Sequence, residues 1–206
     1  MINNREQYGH FFSKSKESAY GKPVKMVQLI PEFVKSGSAL DLGAGDGRHS
    51  LFLASHGLQV KAIDTSDIGL DKLKQSADQM GVSVDTQVAD LAQWSFDGAY
   101  DAIVATVIFQ HLNTQDALRV LSDMKSHTRP QGVNAISLFT KSGDRYRIDQ
   151  VEDPTAFYPE DGWLKEFYKD WEVLEFEEAE APLIGKFRDD GTQMSNTVSR
   201  ILARKP

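Results

Sequence analysis

Residues 39–57 read "ALDLGAGDGRHSLFLASHG". An apolar strand-like opening passes into a segment with helical spacing, and Gly43, Gly45 and Gly47 stand at the junction with Asp41 and Asp46. Glycine there permits positive φ and lets a ligand approach backbone with no Cβ in the way. A glycine-rich junction of this kind is shared by sites for several cofactors, so its flanks decide between them.

Working outward, Val24 to Phe33 has helix-like apolar spacing, and "SALDL" is a short strand. "GRHSLFLASHG" is a helix closed by Gly57. "LQVKAID" alternates as a second strand, and "SDIGLDKLKQSADQMG" is a helix with a Ser66 or Asp67 cap. "VSVDTQVAD" and "YDAIVATVI" are the third and fourth strands, the latter apolar enough for burial on both faces. "TQDALRVLSDMKSHT", capped by Thr114 and stopped by Pro130, is a helix before a fifth strand, "GVNAISLFT". "KSGDRYRIDQVEDPTAFYPED" is a long polar loop, "GWLKEFYKD" a short helix, and two final strands flank a turn at "RDDGT".

Alternating strands and helices predict an α/β class: a Rossmann-like, doubly wound, mostly parallel sheet of about seven strands with helices on both faces and the last strand antiparallel. The expected organisation is one domain over 1–206. Residues 1–34 form a helical N-terminal lid segment, 35–140 the cofactor-binding half, and 141–206 a substrate-side insertion with a C-terminal hairpin.

The chain of 206 residues, 40% hydrophobic and 26% charged, has ordinary globular composition. It contains no cysteine, which excludes thiolate nucleophiles and cysteine-ligated metal. Its net charge of −7 opposes non-specific attraction to nucleic acid. With no apolar run of the roughly 20 residues a membrane span needs and no secretory leader pattern, the expected location is the cytoplasm. The oligomeric state, monomer or homodimer, is open.

The junction's details narrow the ligand. A phosphate-cradling loop needs lysine followed by serine or threonine, and none is present. A nicotinamide fingerprint needs a third glycine where Arg48 stands. Asp41 and Asp46 would repel a pyrophosphate and suit a cationic amine, so the expected ligand is a nucleoside bearing an amino acid.

"LDLGAGDGR" resembles motif I of the class I S-adenosylmethionine-dependent methyltransferases. The resemblance implies S-adenosyl-L-methionine held by Asp41, Gly43, Ala44, Gly45 and Asp46. It puts Asp64, followed by Thr65, at the ribose hydroxyls and Asp90 with the Leu91 amide at adenine. Thr106 and Val107 in "ATVIFQHL" would border the methionine part and the reacting centre. "VADL…FDGAYDAIVATV" and the terminal "ILARKP" are most similar to the tellurite-resistance type, over roughly residues 35 to 205. That type carries a histidine–arginine pair and a further arginine near its end. Here "PLIGKFRDDGTQMSN" has no histidine and supplies only Lys186 and Arg188, so the acceptor does not carry over.

His111, in "FQHL", is the candidate catalytic group, as a base or as a donor orienting the acceptor; a capped surface residue is the structural alternative. Tyr8 in "YGHFF" and Tyr20 are candidates for an aromatic lid, and Arg145, Arg147, Lys186 and Arg188 for a basic mouth. Docked aromatics and solvated charges explain these equally. His49 and His56 lie seven apart on one helix, roughly 10 Å along its axis, too far to share a metal, and no metal site is expected. The functional expectation is metal-independent transfer of a methyl group to a small molecule, with no nucleic-acid or membrane partner. The alternatives are a module that binds the cofactor without transferring it and, further off, a nicotinamide-dependent oxidoreductase.

Overall fold

The computed structural model describes residues 21–206; Tyr8 and Tyr20, with the rest of the expected lid before Gly21, lie outside the described residues. Two helical turns, α1 (Lys25–Gln28) and α2 (Ile30–Phe33), precede β1 (Gly37–Leu42). The single helix expected over Val24–Phe33 is divided at Leu29, because Pro31 opens α2 and has no N–H to return to the preceding turn. Alternation then follows: α3 (Arg48–Ser55), β2 (Leu58–Asp64), α4 (Asp67–Met80), β3 (Val84–Val88) and β4 (Tyr100–Thr106). A 3-10 turn at Phe109–His111 leads to α5 (Thr114–His127) and β5 (Thr128–Gly143). The remainder comprises α6 (Asp144–Glu152), α7 (Trp163–Phe167), β6 (Glu172–Phe187) and β7 (Gln193–Arg204).

The strands form one sheet in the order β3-β2-β1-β4-β5-β7-β6. The first five are parallel, and β7 runs antiparallel to both its neighbours, β5 and β6. This is the expected seven-stranded, mostly parallel architecture with an antiparallel last strand. Strand order reverses between β1 and β4, whose carboxyl ends therefore open the crevice where such sheets take ligands.

β4 shows why the middle of a parallel strand in this position, Ala102 to Ala105, is apolar on both faces. Ile103 and Ala105 pack into a core with Val120, Leu121 and Met124 of α5 and with Leu164 and Tyr168. Ala102 and Val104 face the other core, with Met26, Val27, Ile30 and Leu53. Ser66 caps α4, accepting from the Gly69 amide at 3.1 Å, and Gly81 ends it at φ +68°. α5 is capped by Asn113, not by Thr114 as expected: Asn113 Oδ1 accepts from the Asp116 amide at 2.9 Å. The Thr114 hydroxyl instead donates to the Thr155 carbonyl at 3.3 Å.

The segment expected as a long loop contains α6. Its side chains lack apolar periodicity because the residues it buries are the acids Asp144 and Asp149, and a polar inward face gives no hydrophobic period to read. None of the helices among the described residues is long and apolar enough to cross a membrane.

Candidate active site

The glycine junction is fastened to β2. The amides of Gly43 and Ala44 both donate to the Ile63 carbonyl, at 2.8 and 3.0 Å, and the Gly47 amide returns to Ala44 at 2.9 Å. Gly43, Gly45 and Gly47 have φ of 69°, 56° and 89°. Two of them make room for protein. A Cβ on Gly43 would lie 2.2 Å from Ile108 Cγ2, so its absence lets the loop after β4 close over the end of β1. A Cβ on Gly47 would lie 2.2 Å from Leu73 Cδ1, so its absence seats α4. Gly45, between them, donates its amide to Asp64 Oδ2 at 2.8 Å.

The acids at this corner have separate jobs. Asp41 is 1% exposed, and Ser50 Oγ donates to its Oδ2 at 2.6 Å. Burial raises its pKa to about 7, against the lowering effect of the Ser50 bond and of Arg48. Asp46, 2% exposed, accepts from Lys72 Nζ at 3.0 Å. The carboxylate pair expected to face a cationic amine is thus divided between α3 and α4, one acid turned to a hydroxyl and the other to an ammonium. Asp64 closes β2 with both oxygens engaged, Oδ2 by Gly45 and Oδ1 by the Ser66 amide at 2.8 Å, and burial raises its pKa. Thr65 beside it is exposed.

After β3, the exposed Asp90 begins a turn in which Oδ1 accepts from the Ala92 amide at 2.9 Å, while Leu91 is buried. Arg119 of α5 holds this turn by three carbonyls, those of Leu91 at 2.6 Å, Ala92 at 3.1 Å and Trp94 at 3.2 Å. After β4, Thr106 Oγ1 lies 3.4 Å from His49 Nδ1, and the other His49 nitrogen accepts from the Val24 amide at 3.5 Å. Burial, then Arg48, lowers the His49 pKa, so this ring is neutral. Val107 has φ 54°, rare for a β-branched residue. The structure therefore brings Asp41, Gly43, Ala44, Gly45, Asp46, Asp64, Thr106 and Val107 to the carboxyl ends of adjacent strands, with Asp90 and Leu91 at the end of the next.

The expected basic mouth is split. Arg145 Nε donates to Asp149 Oδ2 at 2.8 Å, and the Tyr158 hydroxyl donates to the same oxygen. His111 lies within electrostatic reach of both Arg145 and Asp149. Arg147 and Arg188 belong to a different cluster, both paired to Asp144, at 3.7 and 2.6 Å. That cluster lines a cavity of about 410 Å³ with Lys141, Ser142 and Glu180, at the carboxyl end of β5. Lys186 is exposed in β6 and does not line it.

His49, Lys72, Arg119, Asp149 and Tyr158 were not among the expected site residues. His49, Lys72 and Arg119 act through partners distant in the chain, Asp149 and Tyr158 through each other and Arg145 within one short segment, and none carries a local motif. Gln110 stood inside the quoted "ATVIFQHL" but was passed over beside His111. Among the described residues, no group of three or more His, Asp or Glu could hold a metal ion.

This strand order, with a glycine loop after β1 and acids closing β2 and following β3, defines the class I S-adenosylmethionine-dependent methyltransferase fold. Within that class the chain belongs to the family of the tellurite resistance protein TehB, whose model matches residues 6–196. It is 29% identical over 201 residues to the probable S-adenosyl-L-methionine-dependent methyltransferase TehB of Haemophilus influenzae strain 10810, covering 95% of this chain and 68% of that protein. The protein of the same name from a second strain is 32% identical over 166 residues, covering 81% of this chain and 56% of its own length. The crystal structure of TehB from Haemophilus influenzae superposes with a TM-score of 0.78 at 28% identity, covering 97% of this chain and 67% of that one. The N-methyltransferase NodS from Bradyrhizobium japonicum, in complex with S-adenosyl-L-homocysteine, shares the fold: TM-score 0.69 at 14% identity, covering 99% of this chain and all of that one.

Proposed function

We propose that this chain transfers a methyl group from S-adenosylmethionine to a small-molecule acceptor by in-line displacement, without a metal ion. The observation that carries this reading is Asp64. Its two oxygens are fixed by the Gly45 and Ser66 amides at the carboxyl end of β2, next to the switch point of the sheet, and each keeps acceptor capacity suited to one hydroxyl of a ribose diol. Family membership supports the same cofactor. The donor set therefore fits a nucleoside with no phosphate to accommodate.

When bound, S-adenosylmethionine supplies an already activated methyl group, so the protein's task is alignment and exclusion of water. Asp64 would orient the ribose, and the Asp90–Leu91 turn, held by Arg119, would receive adenine. Thr106 and Val107 would border the reacting centre. The two clusters flanking it, Arg145–Asp149–Tyr158 and Arg147–Asp144–Arg188, set the acceptor's surroundings. Both are internally paired, so the acceptor side is polar without being an open cationic patch.

Titration calorimetry with S-adenosylmethionine, S-adenosylhomocysteine and NAD tests the reading. Binding of the first two and none of NAD is expected, and the reverse preference would overturn it. Tight cofactor binding with no turnover across thiols, amines, carboxylates and oxyanions would mark a binding module instead.

A further inference from the structure

We propose that Gln110 locks His111 as the Nδ1–H tautomer, making His111 a hydrogen-bond donor beside the reacting centre rather than a proton acceptor. The functional meaning rests on the methyltransferase reading; the tautomer itself does not.

The argument begins at Val107. Its φ of 54° is unfavourable for a β-branched residue, and such outliers persist only where the surroundings hold them. Here the Val107 amide donates to the Ser137 carbonyl at 2.7 Å, while the Val107 carbonyl accepts from Gln110 Nε2, also at 2.7 Å. The same Gln110 nitrogen lies 3.0 Å from His111 Nε2. A main-chain carbonyl can only accept, so the amide nitrogen of Gln110, not its oxygen, must face Val107. Turning the amide over would set two acceptor oxygens against each other. The observed orientation holds even though it leaves Gln110 Oε1 buried with no partner, which is itself costly.

The two protons on Gln110 Nε2 are then assigned, one to the Val107 carbonyl and one to His111 Nε2. That ring nitrogen must offer its lone pair, and in the neutral imidazole the ring proton sits on Nδ1. Among the described residues, the charged groups acting on the ring include Arg145 and Asp149, both from α6. Surrounding protein and then Arg145 lower the His111 pKa, with Asp149 opposing, so the neutral form is the relevant one. Asp149 is itself engaged by Arg145 and by the Tyr158 hydroxyl.

A general base needs a ring lone pair directed at the acceptor. In His111 one nitrogen's lone pair is taken by Gln110 and the other nitrogen already carries a proton. The acceptor must therefore bring its own available lone pair. That pair forms the new bond to the methyl carbon, the carbon–sulfur bond breaks with its electrons left on sulfur, and no proton passes to His111. Gln110 is a positioning residue, acting through His111.

Protein labelled with ¹⁵N-histidine, free of ligand and at neutral pH, provides the test through long-range ¹H–¹⁵N spectra. The His111 signals, assigned by their loss in His111→Gln, should show an unprotonated Nε2 and a protonated Nδ1. A protonated Nε2 would overturn the inference. Gln110→Ala should move the Nε2 resonance toward the protonated range, and Gln110→Glu, which substitutes an acceptor, should move it further. An unmoved tautomer in Gln110→Ala would equally overturn it. Calorimetry with S-adenosylmethionine on the same samples separates the two claims: lost cofactor binding in the wild type would end the methyltransferase reading, whatever the tautomer.

Discussion

Replacing Asp41 with Asn should reshape the dependence of stability on pH. Asp41 is almost fully buried, and burial, the largest influence on it, raises its pKa from 3.8 to about 7. A raised folded-state pKa means that the folded chain holds the proton more tightly than the unfolded one. The site's contribution is therefore complete below about pH 4 and is lost as pH rises through about 7. At about 1.4 kcal/mol per unit, the displacement corresponds to about 4 kcal/mol, a large share of the roughly 5–15 kcal/mol that hold a domain together. Asn has nearly the same shape and can accept the Ser50 hydroxyl, but it has no charge to bury. Asp97, Asp144 and Asp170, whose pKa values are lowered by their partners, give the opposite slope. Both proteins share them, so they cancel in the difference. Urea unfolding at about pH 5 and pH 8 should show the Asn variant gaining on the wild type by about 3 kcal/mol across that interval. Parallel stability curves would refute the reasoning and show Asp41 to be charged in the folded chain.

Other sites give sharper local tests. Asp64→Ala strands the Gly45 and Ser66 amides as well as removing the proposed ribose contact. It should cost about 2–4 kcal/mol of stability without cofactor, and about 1.5–3 kcal/mol of S-adenosylmethionine affinity; unchanged values in unfolding and calorimetry would count against both roles. Arg119→Met frees the three carbonyls of the turn after β3 and should weaken cofactor binding about tenfold, roughly one charged hydrogen bond, while an unaltered dissociation constant would show the turn to hold itself. Gly47→Ala meets Leu73 at 2.2 Å, whereas Gly57→Ala, at the same φ of 89°, meets nothing within 4 Å. Thermal melts should therefore show the first losing clearly more than the second, whose cost of about 1 kcal/mol is backbone strain alone.

The cofactor half of the fold was legible because each parallel strand and crossover helix writes its own period. β4 reads as an apolar run from Ala102 to Ala105 since both its faces are covered there, and Gly81 marks the end of α4 by a conformation few other residues accept. α6 left no such mark: its inward positions are Asp144 and Asp149, whose partners are Arg188 in the turn between β6 and β7, Tyr158 between α6 and α7, and Arg145 one helical turn back. The acids of the glycine loop stood out by position, but their partners within the protein did not. That Asp41 would meet Ser50 and Asp46 would meet Lys72 depends on how α3 and α4 settle on the sheet. His49 and Arg119 were missed for the same reason, since their contacts join residues 57 and up to 28 positions apart.

The strand that comes last in the chain occupies an interior place in the sheet, with β5 on one side and β6 on the other. Until residues 193–204 are made, β5 therefore has no partner on its outer edge, and β6 has none at all. Such late, long-range closure is slow and leaves sticky edges in the interim. Shortening the chain by that one segment would cost two ladders at once.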